Sequence, residues 1–325
     1  MFRWMTAAAA CLLAAPFVAM PPAAAADFPT RDVRILCGFS AGGSCDIVSR
    51  LVAEKLSPIF GRAVVVENKT GASGMVAMTE VSRSAPDGHT VALATMAIHT
   101  VLPQMPGVKL AIDPNRDLTP IASVANVYNM LIVTPNAPFR TVPELIAHAK
   151  ANPGKLTYAS VGPGSSQHLS GELFQRLTGT EMLHVPYRGG ANALVDITAG
   201  RTDMMFGNMP EFLGQIEGKG VRAVAFGAPK ASPLFPDLPL VSKDVPGFEI
   251  RNWFGIAGPA KLPDDIVAKW TAALDKVSAD PDFQARMARN GFENIIGPPA
   301  DFRKLVESDS ARWGEVIRAA GIKAE

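Results

Sequence analysis

Two short segments combine glycine with serine in a way that could bind an anion. Residues 40–46 read Ser-Ala-Gly-Gly-Ser-Cys-Asp, and residues 160–166 read Ser-Val-Gly-Pro-Gly-Ser-Ser. Each segment lies between a predicted strand and a predicted helix, so it would leave backbone N–H groups free at a helix N-terminus. For one such turn alone, ordinary helix capping and turn geometry are the better explanation. Two of them in equivalent places make a shared site for an anion as good an explanation as capping.

Polar side chains near these turns and at the ends of predicted strands are further candidates. Asp46 could stabilise the start of its helix through the helix dipole, or it could accept hydrogen bonds from a ligand amino group or a bridging water. Thr95 ends one predicted strand and Asn208 follows another. Both lie where ligand contacts are expected, although either residue could simply end its strand.

The elements that must position these residues form two series of alternating strands and helices. In the first series, apolar runs predict strands over 33–38, 64–66 and 90–95, with helices over about 47–59 and 71–85. The second series repeats the pattern, with strands over 156–160, 183–187, 203–206 and 221–226 and helices over about 166–177 and 191–199; two more helices follow near 266–277 and 301–319. This alternation predicts parallel sheets in two α/β lobes. Ligands of such folds bind at the carboxyl ends of the strands or in the cleft between lobes.

Composition excludes several classes of protein. The chain has 325 residues, of which 48% are hydrophobic, and this apolar content is too high for a disordered chain. Its net charge of +1 argues against nucleic acid as a partner, because nucleic-acid binding needs a basic face. The length is ordinary for two domains.

The first 26 residues have the pattern of an export signal. Arg3 precedes an apolar stretch, and Ala24-Ala25-Ala26 supplies a small-residue cleavage pattern. Prolines 16, 21 and 22 interrupt the stretch, which favours cleavage near Ala26 over a retained membrane anchor. The mature chain would be periplasmic and would begin at Asp27.

Signals for catalysis, a metal or a cofactor are weak in this sequence. The five histidines contain no pair at i, i+3 or i, i+4, the cysteines have no zinc-ligand spacing, and no nucleophile adjoins a base. We therefore predict no catalytic residue, no metal site and no cofactor. Cys37 and Cys45 could form a disulfide in an oxidising compartment, but we favour two separate buried thiols, since free cysteine is commonly buried.

Beyond these signals, the order of motifs resembles that of a known family. The matching segments are Phe39 to Asp46 (F-x-P-G-G-x-x-D in the family), 66–74, 86–90, 158–169, 184–189, 200–206 and 253–255. Together they resemble the extracytoplasmic solute receptors of tripartite tricarboxylate transporters, the Bug receptors. Ala41 stands where the family usually has proline, Gly38 replaces another proline, and Cys45 is unusual.

The resemblance implies a type II periplasmic-binding-protein fold that closes on its ligand like a Venus flytrap. The implied division is a signal peptide over 1–26, lobe 1 over 27–126 and 253–325, and lobe 2 over 127–252, with crossovers near 124–133 and 248–254. The implied ligand is a small carboxylate, which the receptor delivers as a monomer to an integral membrane permease. The candidate ligand-binding residues are Phe39, Gly42, Gly43, Ser44, Asp46, Thr95, Ser160, Gly164, Ser165, Ser166 and Asn208.

Two other functions stay open at this point. A soluble sensor subunit would bind the same ligands but dock on a signalling protein, and an exported enzyme would turn its ligand over. A permease or a sensor kinase encoded beside the gene would separate the first two functions, and turnover of the bound ligand would reveal the third.

Overall fold

Ten strands lie in one sheet in the computed structural model, which describes residues 28–323. The strands are β1 (Val33–Cys37), β2 (Val64–Asn68), β3 (Thr90–Thr95), β4 (Leu118–Val133), β5 (Thr157–Ser160), β6 (Leu183–Pro186), β7 (Met204–Asn208), β8 (Arg222–Phe226), β9 (Arg251–Pro259) and β10 (Phe292–Gly297). The α-helices are α1 (Ser44–Phe60), α2 (Met75–Ser82), α3 (Val142–Ala151), α4 (Ser166–Thr178), α5 (Gly190–Thr198), α6 (Leu213–Glu217), α7 (Val241–Asp244), α8 (Asp264–Ala279), α9 (Pro281–Arg289) and α10 (Pro299–Ala320). The predicted signal peptide, residues 1–26, lies outside the described residues.

The sheet has two halves built in the same way. In lobe 1, β1 pairs in parallel with β2 and β3; in lobe 2, β5 pairs in parallel with β6 and β7. These are strands that the alternating pattern predicts. The two-lobed α/β fold is therefore confirmed, and in each lobe a glycine-rich turn leaves the carboxyl end of the strand in the middle of the parallel set.

The centre of the sheet is antiparallel, which the prediction of mainly parallel sheets missed. The neighbouring strands run in the order β2-β1-β3-β9-β4-β7-β5-β6, and β4 pairs antiparallel with β7, β8, β9 and β10. The sheet is therefore mixed. The reason is that the chain crosses between lobes within strands: β4 pairs with β9 as far as Tyr128 and with β7 from Asn129 onward.

The long strand β4 and the start of β9 occupy the two segments where crossovers are expected. The register Tyr128 with Arg251 is the last pair between these strands, and β4 then continues into lobe 2. The exact lobe boundaries at residues 126/127 and 252/253 stay predictions.

Helix α1 shows how the apolar pattern places a glycine-rich turn. Its buried face includes Val48, Val52 and Leu56, which pack in the core beside β1. Gly61 ends the helix in the left-handed conformation, with φ of 64°, as its position predicts. Because α1 is fixed along its length, its first turn is held against the end of β1.

The C-terminal segment reinforces the crossover strands. Trp253 of β9 is fully buried, and its indole Nε1 donates to Asp309 Oδ2 of α10 at 2.7 Å. Arg251 donates to the other oxygen of Asp309 at 3.1 Å. Helix α9 and strand β10, which no sequence pattern indicated, also lie in this region. Within residues 28–323, none of the helices combines the length and the apolar character needed to cross a membrane.

Candidate functional site in the cleft between the two lobes

The first glycine-rich turn is tied to its own helix by a disulfide. Cys37 ends β1, Cys45 lies in the first turn of α1, and the two are disulfide-bonded with a Cα–Cα distance of 6.0 Å. The prediction of two separate thiols was wrong. The turn folds the helix start back over the strand end, which brings the two Cα atoms into the range that a disulfide spans.

Asp46 serves this turn and does not line the cavity described below. Its carboxylate accepts the Gly42 N–H at 3.0 Å and pairs with Arg50 at 2.9 Å. Burial alone would raise the pKa of Asp46, but hydrogen bonds from Arg50 and Gly42 outweigh burial and hold that pKa below its usual value. The carboxylate also stabilises Gly42, whose φ of +79° favours glycine. Of the two roles that the sequence left open for Asp46, the structure shows the structural one at the start of α1.

The second glycine-rich turn is held by side-chain hydrogen bonds. Ser165 caps α4, since its Oγ accepts the His168 N–H at 3.3 Å and donates to the Gly162 carbonyl at 2.7 Å. Ser160 Oγ accepts the Gly162 N–H at 2.9 Å, and His168 Nδ1 accepts the Gly164 N–H at 3.3 Å. Burial, together with the nearby His184, lowers the pKa of His168 to about 3, so this imidazole stays neutral and able to accept.

Two backbone donors remain free at the start of α4. The N–H groups of Ser166 and Gln167 find no acceptor among the described residues, because they precede the first intrahelical hydrogen bonds. Both residues are 2% exposed. The helix dipole adds partial positive charge at this point. This helix start can therefore bind an anion through backbone donors.

A narrow cavity of about 30 Å³ lies between the two turns. Hydrogen bonds from Ser44 to Glu211 and from Ser73 to the Pro163 carbonyl join the two lobes. The cavity is lined by Phe39, Gly43, Ser44, Cys45, Thr95, Ala97, Val161, Ser165, Ser166, Gln167, Gly190, Asn208, Glu211, Asn252 and Phe254. Phe39 packs against apolar clusters of both lobes.

The structure brings most of the predicted site residues together at this cavity. Seven of them line it, namely Phe39, Gly43, Ser44, Thr95, Ser165, Ser166 and Asn208. Four do not, namely Gly42, Asp46, Ser160 and Gly164. These four belong to the two glycine-rich turns, which bring Gly43, Ser44, Ser165 and Ser166 to the cavity.

Glu211 is the most important residue that the sequence analysis missed. It lies in the short turn Met209–Glu211 that follows β7 in lobe 2. Its Oε1 accepts two hydrogen bonds from Ser44 of lobe 1, one from N–H at 3.1 Å and one from Oγ at 2.7 Å. Burial raises the pKa of Glu211, against the hydrogen bonds from Ser44 and the nearby Asn208 side chain, which favour the charged form. One signal in the sequence could have indicated it. Glu211 is an acidic residue three positions after Asn208, which was already a candidate at the end of β7.

Asn252 and Gln167 are also unpredicted members of the lining. Asn252 belongs to the crossover strand β9, and its Nδ2 donates to Asn208 Oδ1 at 3.4 Å. The lining contains no lysine or arginine, and its one acid is Glu211. A bound anion would therefore be held by N–H groups, hydroxyls and side-chain amides. In residues 28–323 no group of three or more His, Cys, Asp or Glu side chains could hold a metal ion.

Comparison with known proteins agrees with this architecture. Residues 48–322 match the family described as "Tripartite tricarboxylate transporter family receptor". The protein BugT of Bordetella pertussis is 30% identical over 305 residues, which cover 93% of each chain. A structure of a Rhodopseudomonas palustris protein with adipate has a TM-score of 0.89 and 34% identity, covering 91% of this chain and 99% of that one.

A second solved structure is similar along the same length. MatC from Rhodopseudomonas palustris, solved with bound malate, has a TM-score of 0.84 and 28% identity, covering 89% of this chain and 100% of that one. The family match and these relatives each extend over most of this chain, so the likeness includes both lobes and the crossovers. The chain belongs to the receptor family of the tripartite tricarboxylate transporters.

Proposed function

We propose that the protein is a periplasmic receptor that captures a small carboxylate between its lobes and delivers it to a membrane permease. The observation that carries this proposal is the pair of free N–H groups at Ser166 and Gln167, which begin α4 at the wall of the cavity. Backbone donors at a helix start bind carboxylates without a basic side chain. Relatives solved with adipate and malate support a carboxylate as the ligand.

Closure of the lobes is the conformational step in this proposal. The Ser73 hydroxyl of lobe 1 donates to the Pro163 carbonyl of lobe 2 at 3.0 Å, and Ser44 donates to Glu211 across the same cleft. A ligand that contacts both lobes favours the closed form by its difference in affinity for the two forms. The receptor acts as a monomer, binds without turnover and uses no cofactor.

A thermal-shift and calorimetric screen tests the carboxylate ligand. The panel contains mono-, di- and tricarboxylates, amino acids and aromatic acids. A true ligand at about 100 times its dissociation constant stabilises the protein by about 2.7 kcal/mol. No stabilisation by any acid of the panel would contradict the proposal.

The substitution Ser166→Pro tests whether the carboxylate binds at the N–H groups that begin α4. Residue 166 is the first of α4, where proline fits the helix, and Ser165 has the extended conformation (φ −64°, ψ 157°) that a following proline requires. Proline removes the N–H and the hydroxyl, whereas Ser166→Ala removes only the hydroxyl. We expect affinity for the ligand to fall about tenfold or more further in the proline variant than in the alanine variant. Equal affinities of the proline and alanine variants for the ligand would exclude the start of α4 as the carboxylate site.

Delivery to a permease and signalling through a sensor differ in a cell. Deletion of the gene should abolish uptake of the ligand while leaving the cell able to use that compound once it is inside. Unchanged uptake together with altered gene expression would support the sensor function.

A further inference from the structure

Glu211 places a carboxylate of the chain itself at the wall of the cavity. Its Oε1 takes both donors of Ser44 at the N-terminus of α1. Ser44 lies in the first glycine-rich turn, which was expected to offer these donors to a ligand. The Ser44 N–H at the start of α1 is therefore already bound to an anion, whereas the Ser166 and Gln167 N–H groups at the start of α4 have no acceptor within the described residues.

The second oxygen of Glu211 is buried and accepts no hydrogen bond within the described residues. It lies against Gly190, where the Cβ of any other residue would overlap the carboxylate. The Asn208 side chain is close enough to favour the charged form, but no lysine or arginine lines the cavity. A buried carboxylate oxygen without a donor is costly, so this position is suited to a donor brought by the ligand.

The chemistry on the two sides of the cavity is therefore opposite. The start of α4 presents N–H donors and partial positive charge, which suit a carboxylate. Glu211 presents a carboxyl oxygen without a donor, and an ammonium group there would favour its charged form against the burial that raises its pKa. A dicarboxylate seated at α4 would bring its second carboxylate toward Glu211, where like charges repel.

We propose that Glu211 is a specificity-determining residue that makes the cavity select an aminocarboxylate over a dicarboxylate of matched length. This inference rests on the proposed function, because it assumes that one carboxylate of the ligand binds at the start of α4. Within that site, Glu211 accepts a hydrogen bond from the ammonium group while it keeps its two hydrogen bonds from Ser44.

Calorimetry with matched ligands on the full-length mature protein tests the inference. Each pair of ligands matches a dicarboxylate with an aminocarboxylate of the same length: glutarate with γ-aminobutyrate, and adipate with δ-aminopentanoate. Pentanoate has one carboxylate and no second charged group, so it measures binding at the start of α4 alone. The variant Glu211→Gln keeps the shape of the side chain and an oxygen for Ser44 but removes the charge. The control Glu217→Gln makes the same change on α6, at an exposed residue away from the cavity.

The wild type should bind the aminocarboxylate of at least one pair more tightly than its dicarboxylate. Relative to pentanoate bound by the same protein, Glu211→Gln should weaken binding of that aminocarboxylate about tenfold or more and strengthen binding of the dicarboxylate. Glu217→Gln should match the wild type for every ligand. Thermal unfolding of each variant without ligand shows that it is folded before its affinities are compared.

Two results would overturn the inference while leaving the carboxylate receptor in place. One is tighter binding of the dicarboxylates by the wild type, with affinity rising as the pH falls, because a protonated Glu211 would then donate to the second carboxylate. The other is an unchanged ligand preference in Glu211→Gln. Failure of every carboxylate to bind, pentanoate included, would instead contradict the proposed function itself.

Discussion

The two glycine-rich turns occupy equivalent places in the two lobes, but different bonds hold them. The first turn is closed by the Cys37–Cys45 disulfide and by the Asp46 carboxylate, and its helix start is bound to Glu211. The second turn is held by hydrogen bonds to the neutral side chains of Ser165 and His168, and the Ser166 and Gln167 N–H groups at its helix start have no acceptor among the described residues. Equivalent positions in two lobes therefore do not imply equivalent roles in binding.

This difference divides the work of the site between the lobes. Lobe 2 carries both the free donors at the start of α4, where we propose that the carboxylate binds, and Glu211, which accepts the two hydrogen bonds from Ser44 of lobe 1. Lobe 1 supplies the disulfide-bonded first turn, whose Ser44 binds Glu211 across the cleft. In the proposed function, hydrogen bonds from Ser44 and Ser73 to lobe 2 aid closure without a ligand, and a bound ligand adds its own contacts to both lobes.

The largest expected contrast between the turns comes from adding a methyl group to one glycine of each. Gly42 and Gly164 both have positive φ, +79° and +77°, so alanine should lower the free energy of unfolding by about 1–2 kcal/mol at either position. Only at Gly164 would the new Cβ lie 2.7 Å from Leu102 Cδ2 in the other lobe. Gly164→Ala should therefore also weaken ligand binding by about 1–3 kcal/mol through impaired closure.

Urea unfolding without ligand and calorimetry with ligand measure the two effects separately. At Gly42 the nearest atom to the new Cβ is Ala191 Cβ at 3.8 Å, an ordinary contact, so Gly42→Ala serves as the matched control. If both variants bound the ligand equally well, the packing of the second turn against lobe 1 would not matter for closure.

The disulfide gives the next largest contrast, because it constrains only the first turn. Cys37 and Cys45 are eight residues apart, and closing a loop of this length is worth about 2.5 kcal/mol in the chain-entropy account. The double substitution Cys37→Ala, Cys45→Ala should lower the free energy of unfolding by about this amount. A reductant should produce the same loss in the wild type and none in the variant, as measured by urea unfolding.

Ligand binding then shows whether the rigidity of the first turn matters for the site. If the only role of the first turn in the site is the hydrogen bonding of Ser44 to Glu211, the double variant should bind the ligand with an affinity close to that of the wild type. A large loss of affinity would instead mean that the disulfide positions donors on which the ligand depends directly.

Much of this architecture was predictable from local pattern, but the contacts between distant residues were not. The strand at 90–95 and the start of α4 at Ser166 agree with the sequence, since apolar spacing and capping residues determine them locally. The crossover strands were not recognised as part of the sheet, because their pairing is antiparallel and joins segments more than a hundred residues apart.

The candidate site shows the same limit. Glycine and serine next to a strand end indicated both turns, and seven of the predicted residues line the cavity. Glu211 could not be assigned to Ser44, since the two are 167 residues apart and meet only across the closed lobes. Asp46, by contrast, was noticed because it lies within a motif, yet the structure uses it to support the turn.

Acid should loosen the second turn before the first, which is the smallest of the expected contrasts. Burial lowers the pKa of His168 to about 3, and that of His99 to about 4, whereas an unfolded histidine has a pKa near 6.5. Below about pH 6.5 the unfolded chain binds protons that the folded protein excludes. The free energy of unfolding therefore falls by up to about 1.4 kcal/mol per pH unit for each of these residues.

Asp46, the carboxylate within the first turn itself, should respond only at lower pH than the histidines. The pKa of Asp46 is already lowered in the folded protein, so its stabilising effect is lost only as the pH falls below about 4. Urea unfolding between pH 7.5 and 4.5 distinguishes the turns: His168→Gln should reduce the slope of stability against pH by up to about 1.4 kcal/mol per unit. Asp46→Asn should lower stability at every pH in this range and leave the slope unchanged. If His168→Gln kept the wild-type slope, the neutral His168 that accepts the Gly164 N–H would not be the source of the acid sensitivity. The contrast between the turns would then rest on the disulfide and Glu211 alone.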